Sequence, residues 1–171
     1  MEVALGIGSS LGDRVAHLAV AIRRLHAMPG IEVLRVSRLY RTPPMRGGTA
    51  RGFFLNAVAK IETELTAEVL LDICRTLEEN AGRRRARFWG DRPLDLDILL
   101  VDGRVIETST LRVPHPGIAQ RPFVHRPLLE VWPDAVDART GRLWTDAVKI
   151  DTPRAVAVST LPWRNTGGTQ R

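Results

Sequence analysis

Among its 171 residues the chain has one cysteine, Cys74, which excludes an internal disulfide and a cysteine-cluster metal centre. The apolar neighbours Ile73 and Leu77 make Cys74 a core residue rather than a nucleophile. No apolar run approaches the roughly 18 residues that a membrane span requires. The opening stretch MEVALGIGSSLGDR has no basic segment ahead of its apolar run, so no secretory leader is expected, and the cytoplasm is the expected location. Internal repeats are missing, and so is any linker that would divide two domains. With 44% hydrophobic and 26% charged residues, the composition fits one soluble domain with its own core, expected over residues 1–160, followed by a frayed C-terminal tail over 161–171.

Lysine is also scarce. Only Lys60 and Lys149 are present, so nearly all the positive charge is guanidinium, the planar and bidentate phosphate binder. From Arg83 to Arg92 there are five arginines (Arg83, Arg84, Arg85, Arg87, Arg92) against one acid, Asp91, a net +4 out of the chain's +6. That concentration predicts a dense anion as partner, either nucleic acid or a polyphosphate.

Val3 to Ile7 is a short apolar run and predicts a buried strand. Asp13 opens a helix carrying Val15, Leu18, Ala19, Ile22 and Leu25 at helical spacing, and Pro29-Gly30 stops it. Ile31 to Tyr40 predicts a second strand. Arg41 to Gly52, with two prolines and three glycines, predicts a loop long enough to serve a function. Phe53 to Thr63 predicts a third strand with Leu55, Ala57, Ala59 and Ile61 on one face. Thr66 caps a second helix that fades near Gly82. Leu94 to Val101 predicts a fourth strand, Asp102-Gly103 a hairpin turn, and Arg104 to Ile106 a return strand. A short helix over Phe123 to Val131 follows. The order β-α-β-β-α-β predicts an α+β fold: a ferredoxin-like antiparallel sheet with helices on one face, plus an appended hairpin and a C-terminal helix.

The segment Leu94 to Leu100 reads LDLDILL. On a strand, residues two apart share a face, so Asp95 and Asp97 point together while Leu96 and Ile98 point into the core. Two adjacent carboxylates repel unless a cation lies between them or one is protonated. An all-oxygen pair suits Mg²⁺, which takes one or two carboxylates plus substrate phosphates. With the arginine run just upstream, this is a layout for phosphoryl transfer. No G-x-x-x-x-G-K-[ST] loop is present, and Gly6-Ile7-Gly8-Ser9 lacks the third glycine of a dinucleotide fingerprint and is better explained by a strand-end turn. A nucleotide would therefore be gripped by side chains. Phe54 and Asn56 share the face opposite the apolar stripe of their strand and could stack on and hydrogen-bond to a flat heterocycle. Val113-Pro114-His115-Pro116 is either a rigid turn with an exposed histidine or part of the site.

These pieces resemble one family, the 6-hydroxymethyl-7,8-dihydropterin pyrophosphokinases. The resemblance is carried by Gly8-Ser9-Ser10-Leu11-Gly12-Asp13, Tyr40-Arg41-Thr42-Pro43-Pro44, Phe54-Leu55-Asn56-Ala57, Glu78 and Gly82-Arg83-Arg84-Arg85. It continues through Trp89-Gly90, Arg92, Leu94 to Leu99, Val113 to Pro116, Arg121-Pro122-Phe123-Val124 and Pro127-Leu128, in register from about residue 3 to residue 133.

The resemblance implies transfer of pyrophosphate from ATP to the pterin hydroxymethyl group, with AMP leaving. It implies two Mg²⁺ ions on Asp95 and Asp97, and Arg83 and Arg92 on the transferring group. ATP would be held by Glu78, Arg85, Trp89, Ile98, His115 and Arg121. The pterin would lie between Phe54 and Phe123, bordered by Gly8, Thr42, Pro43, Pro44, Met45, Asn56, Trp89 and Asp95. The partners are then ATP and the pterin, not nucleic acid or a membrane, and the expected state is a monomer.

The chain departs from the family pattern at four places. Phe88 precedes the tryptophan where arginine is usual, and Asp91 replaces the usual proline. Arg112 stands for a frequent threonine, and Phe54 for a frequent tyrosine. Two rival readings remain: an RNA-binding sheet, opposed by the missing RNP signature, and another Mg²⁺-dependent nucleotide enzyme such as a nucleotidyl transferase.

Overall fold

A computed structural model of the chain describes residues 1–44, 49, 51–83, 90–147 and 156–164. Strand β1 (Glu2–Ser9) turns Val3, Leu5 and Ile7 to one face and Ala4, Gly6 and Gly8 to the other. Helix α1 (Arg14–His26) starts where the Asp13 side chain accepts the Ala16 N–H at 3.0 Å. It buries Leu18, Ile22 and Leu25 completely, each worth about 1.5–3 kcal/mol of transfer free energy. Arg23, Arg24 and His26 lie in its last turn, where cations suit the helix dipole.

The stretch expected as one second strand is two, β2 (Ile31–Val36) and β3 (Arg38–Thr42). The break is Ser37. Its buried hydroxyl accepts the Val58 N–H at 3.0 Å and donates to Arg38 O at 2.8 Å, so the side chain substitutes for a ladder bond and lets the chain step. Strand β4 (Phe54–Thr63) pairs with both, β2 beside its second half and β3 beside its first. Helix α2 (Ala67–Asn80), capped by Thr66, buries Leu70, Cys74 and Leu77. Burial pushes the Cys74 thiol up to about 12, so it stays protonated and inert, as its apolar setting predicts. Strand β5 (Asp95–Val101) pairs antiparallel with β1.

The Asp102-Gly103 turn forms, but the expected return strand does not come back along β5. Instead β6 (Ile106–Glu107) pairs with β7 (Arg112–Val113) as a separate ribbon. The outer edge of β5 is engaged elsewhere: the His115 N–H donates to Leu99 O at 2.8 Å, and the Leu96 N–H is taken by Glu78. Helix α3 (Pro122–Val131) follows, then β8 (Val136–Asp137), β9 (Arg142–Leu143) and α4 (Trp144–Ala147). The buried His125 ring on α3 meets Trp144 O at 2.9 Å.

Strand β10 (Val156–Thr160) adds to the sheet beside β3, which the sequence reading does not foresee. The chain also packs beyond it. Leu161 is buried in the core and Trp163 meets His26 edge-on at 5.6 Å, so the first residues of the expected tail are held, while 165–171 lie outside the described residues.

The result is an α+β fold around one antiparallel sheet in the order β10-β3-β4-β1-β5, with β2 also on β4. Helices α1 and α2 cover the face of Val3, Leu5, Ile7, Ala57, Ala59, Ile61, Leu96 and Ile98. Helix α3 lies on the opposite face, where Val124, Leu128 and Val131 pack on Ala4, Val58 and Leu99. Helices on a single face therefore describes α1 and α2 only. Among the described residues α3 covers about half of the second face and leaves uncovered the half that carries Gly8, Asn56, Asp95 and Asp97.

Candidate active site

On that uncovered half lies a cavity of about 420 Å³. Its floor is the sheet. Gly6 and Gly8 of β1 lie inside the strand rather than in a strand-end turn, and they face the cavity. A Cβ on Gly8 would stand 3.0 Å from Asn56 Oδ1, so glycine there keeps the floor open against the amide. Asn56 is held in place because its Nδ2 donates to Thr42 Oγ1 at 2.9 Å across the β3–β4 pair. Thr42, Pro43, Phe54, Asn56 and Phe123 are among the residues that line the cavity. Phe123 comes from the first turn of α3, so the two phenyl groups belong to separate elements of the fold.

The cavity is also charged. Asp95 and Asp97 both line it, with Leu96 and Ile98 turned to the helix-side core, as strand alternation predicts. Arg83 Nη1 donates to Asp95 Oδ1 at 2.8 Å, and Arg92 Nη1 donates to the same oxygen at 2.9 Å. Arg83 also pairs with Glu78, which accepts the Leu96 N–H at 2.8 Å. Burial raises the Glu78 carboxyl to about 7, against the opposing pull of the Leu96 N–H and Arg83. Burial, followed by the Asp95 charge, holds the Asp97 carboxyl well above the usual carboxylate range. Arg121, Arg83 and Arg92 pull the other way but do not outweigh that burial. Among the described residues no three His, Cys, Asp or Glu side chains gather as a metal cluster. Two carboxylates side by side are an oxygen pair of the kind that suits a hard ion completing its shell with phosphate and water oxygens.

His115 and Arg121 line the same cavity. His115 is half-buried rather than fully exposed, and its Nδ1 accepts the Gly117 N–H at 2.9 Å. Burial and the neighbouring Arg121 push its pKa down, so the ring is neutral near pH 7, with its proton on Nε2. Arg75, Arg83, Arg92 and Arg121 line the cavity together with Glu78, Asp95 and Asp97, so the lining is rich in guanidinium groups as well as carboxyls.

Of the site residues read from sequence, the cavity unites Gly8, Thr42, Pro43, Phe54, Asn56, Glu78, Arg83, Arg92, Asp95, Asp97, His115, Arg121 and Phe123. Pro44 is not part of the lining. Ile98 is 2% exposed in the helix-side core, so its side chain does not reach the cavity. Met45, Arg85 and Trp89 lie outside the described residues, as do Arg84, Arg87 and Phe88. Sequence reasoning missed Leu71 and Arg75, which line the cavity with Glu78. The signal was there: these three fall at i, i+4 and i+7 on one stripe of α2.

A family model described as 7,8-dihydro-6-hydroxymethylpterin-pyrophosphokinase matches residues 4–133. The 2-amino-4-hydroxy-6-hydroxymethyldihydropteridine pyrophosphokinase of Methylorubrum extorquens is 46% identical over 132 residues, 77% of this chain and 83% of that protein. The protein of the same description from Bacillus subtilis is 40% identical over 127 residues, 74% and 75% of the two chains. The folic acid synthesis protein fol1 of Schizosaccharomyces pombe is 42% identical over 136 residues, 80% of this chain but only 18% of that longer protein.

Proposed function

The chain belongs to the 7,8-dihydro-6-hydroxymethylpterin-pyrophosphokinase family, and from that premise we propose that its cavity binds ATP and 6-hydroxymethyl-7,8-dihydropterin side by side. Membership makes it a transferase, a pyrophosphokinase of folate biosynthesis that uses ATP as co-substrate. The observation that carries the finer reading is that one cavity is lined both by phenyl and amide groups and by carboxylate and guanidinium groups.

In this reading the pterin ring lies between Phe54 and Phe123, with Asn56 and the Thr42-Pro43 corner at its polar edge. The ring is thereby oriented so that its hydroxymethyl group reaches towards Asp95 and Asp97. These two carboxylates would hold Mg²⁺, which when bound neutralises phosphate charge and polarises the reacting oxygens. The hydroxyl oxygen bonds to the β-phosphorus of ATP, the bond from that phosphorus to the oxygen bridging the α-phosphate breaks, and AMP leaves with that oxygen. The hydroxyl proton is released. Arg83 and Arg92 supply fixed positive charge where the transferring group gains negative charge, the strongest use of preorganised donors. His115, Arg121 and Glu78 border the nucleotide, His115 as a neutral donor through Nε2. Arg85, Trp89 and Met45 keep the roles that the resemblance implies for them.

A cytoplasmic, monomeric enzyme remains part of the reading. Among the described residues no helix is long and apolar enough to cross a membrane. The deciding experiment is incubation with ATP, Mg²⁺ and 6-hydroxymethyl-7,8-dihydropterin. AMP and the pterin diphosphate are the expected products. ADP, free pyrophosphate or no product would reject the reading, and pyrophosphate release would favour a nucleotidyl transferase.

A further inference from the structure

Three segments far apart in sequence meet beside the site: the turn after β1, the residues entering β4, and the residues entering β5. Ser10 and Arg92 join the first to the third. The Ser10 N–H donates to Arg92 O at 3.0 Å, and the Arg92 N–H donates to Ser10 Oγ at 2.9 Å. Arg14 joins the first to the second: its Nε donates to Phe53 O at 3.1 Å, and its guanidinium lies 4.1 Å from the Phe53 ring centre, with Arg41 at 4.3 Å. The third connection is Asp91. Its Oδ2 accepts the Arg51 N–H at 3.0 Å and its Oδ1 accepts the Gly52 N–H at 3.4 Å, so one carboxylate clips two successive peptide groups forty residues away. A Cβ on Gly52 would stand 3.0 Å from Ser10 O and 3.1 Å from an Arg14 guanidinium nitrogen, which is why the chain can pass so closely here.

We propose that Asp91 is a positioning residue for Arg92: by clipping the Arg51 and Gly52 peptides it fixes the backbone from which Arg92 reaches Asp95. Arg92 touches Asp95 through a long side chain, and a guanidinium is only as well placed as the main chain that carries it. Ser10 holds the Arg92 peptide itself through two hydrogen bonds, which tie this segment to the turn after β1. Asp91 supplies a second anchor, one residue away and on a different element. The same clip ties the approach to Phe54 and Asn56 to the approach to Asp95. Proline, expected at this position from the resemblance, has no acceptor side chain and could not make these bonds.

The inference rests on Arg92 acting in pyrophosphoryl transfer, and its test separates the two ideas. AMP formation by the wild-type protein is measured first and speaks only to the reaction. Amide hydrogen exchange at Arg51 and Gly52 is then compared between wild type, Asp91→Ala and Asp91→Asn. Asp91→Ala is expected to speed exchange at both amides, and Asp91→Asn, which keeps one oxygen acceptor, to do so less. Kinetically, Asp91→Ala is expected to lower kcat about tenfold, the scale of a lost charge-assisted hydrogen bond, with the pterin KM little changed and kcat partly restored in Asp91→Asn. In an Arg92→Ala background the Asp91→Ala change should have no further effect on kcat, since it acts through Arg92. A similar drop in both backgrounds, wild-type kcat in Asp91→Ala, or unaltered exchange at both amides would overturn the proposal. Thermal unfolding of each variant shows whether a drop comes from lost fold instead, a result that would also count against it.

Discussion

Glu78 near the end of α2 and Leu96 in β5 are joined by a 2.8 Å hydrogen bond from the Leu96 N–H to Glu78 Oε1, so the peptide between the two aspartates hangs from the helix. The same carboxylate oxygen pairs with Arg83, and Arg83 reaches Asp95. Expected from the resemblance as a nucleotide-binding residue, Glu78 is also the bracket that sets the outer edge of β5.

Replacing Glu78 by Leu removes the acceptor and leaves the Leu96 N–H buried without a partner, a loss of about 1–3 kcal/mol. Glu78→Gln keeps an acceptor of the same shape and should recover most of it. Denaturant unfolding of both variants checks the difference; equal stability of the two would show that the bracket is unimportant.

Asp95→Ala and Asp97→Ala should each cut turnover by at least about 100-fold, more than the loss typical of groups that merely orient a metal ligand. Both face a cleft rather than the core, so circular dichroism and the unfolding midpoint should stay near wild type. Near-normal AMP production by either variant would remove that carboxylate from the metal site.

Arg92→Ala should lower kcat by about 10²–10³-fold, the scale of one lost transition-state donor, while pterin affinity changes little. Steady-state kinetics paired with a pterin binding titration separate the two effects. A change confined to pterin binding would move Arg92 out of the transfer step.

Away from the site, Glu130 on α3 accepts from Arg38 Nη2 at 2.6 Å, from the Arg38 backbone N–H at 2.9 Å and from the Tyr40 hydroxyl. Burial pushes its carboxyl up, but the Arg38 and Tyr40 hydrogen bonds outweigh burial and hold it below the usual value of 4.5. A carboxyl depressed in the fold contributes stability that is present above its unfolded pKa and is lost as pH falls through the folded one. The melting-temperature gap between wild type and Glu130→Gln should therefore be widest near neutrality and narrow below about pH 4.5. A gap that stays constant to pH 3 would show that the charge is not what binds α3 to β3.

Local patterns reveal much of this molecule. Alternation places Asp95 and Asp97 together, and Leu55, Ala57, Ala59 and Ile61 on the core face, because side-chain direction on a strand has a period of two whatever lies beside it. Asp13 and Thr66 mark helix starts because the capping bond is made within three residues. Ser37 shows where such reading stops: nothing in the run from Ile31 to Tyr40 announces a break, since the hydrogen bond that splits it comes from Val58. β10 was missed for the same reason. Its pairing with β3 joins residues more than a hundred positions apart, and neither strand signals the other.

Sequence by itself determined the family, the α+β class, the carboxylate pair and the phenyl-and-amide corner, since each is a matter of residue type, order and short spacing. Tertiary structure alone decided that α3 covers only half of the second sheet face, that Arg83 and Arg92 close on the same oxygen of Asp95, and that Asp91 clips Arg51 and Gly52. Those contacts depend on strand register and helix placement, which are set by the packing of the whole core and not by any one segment.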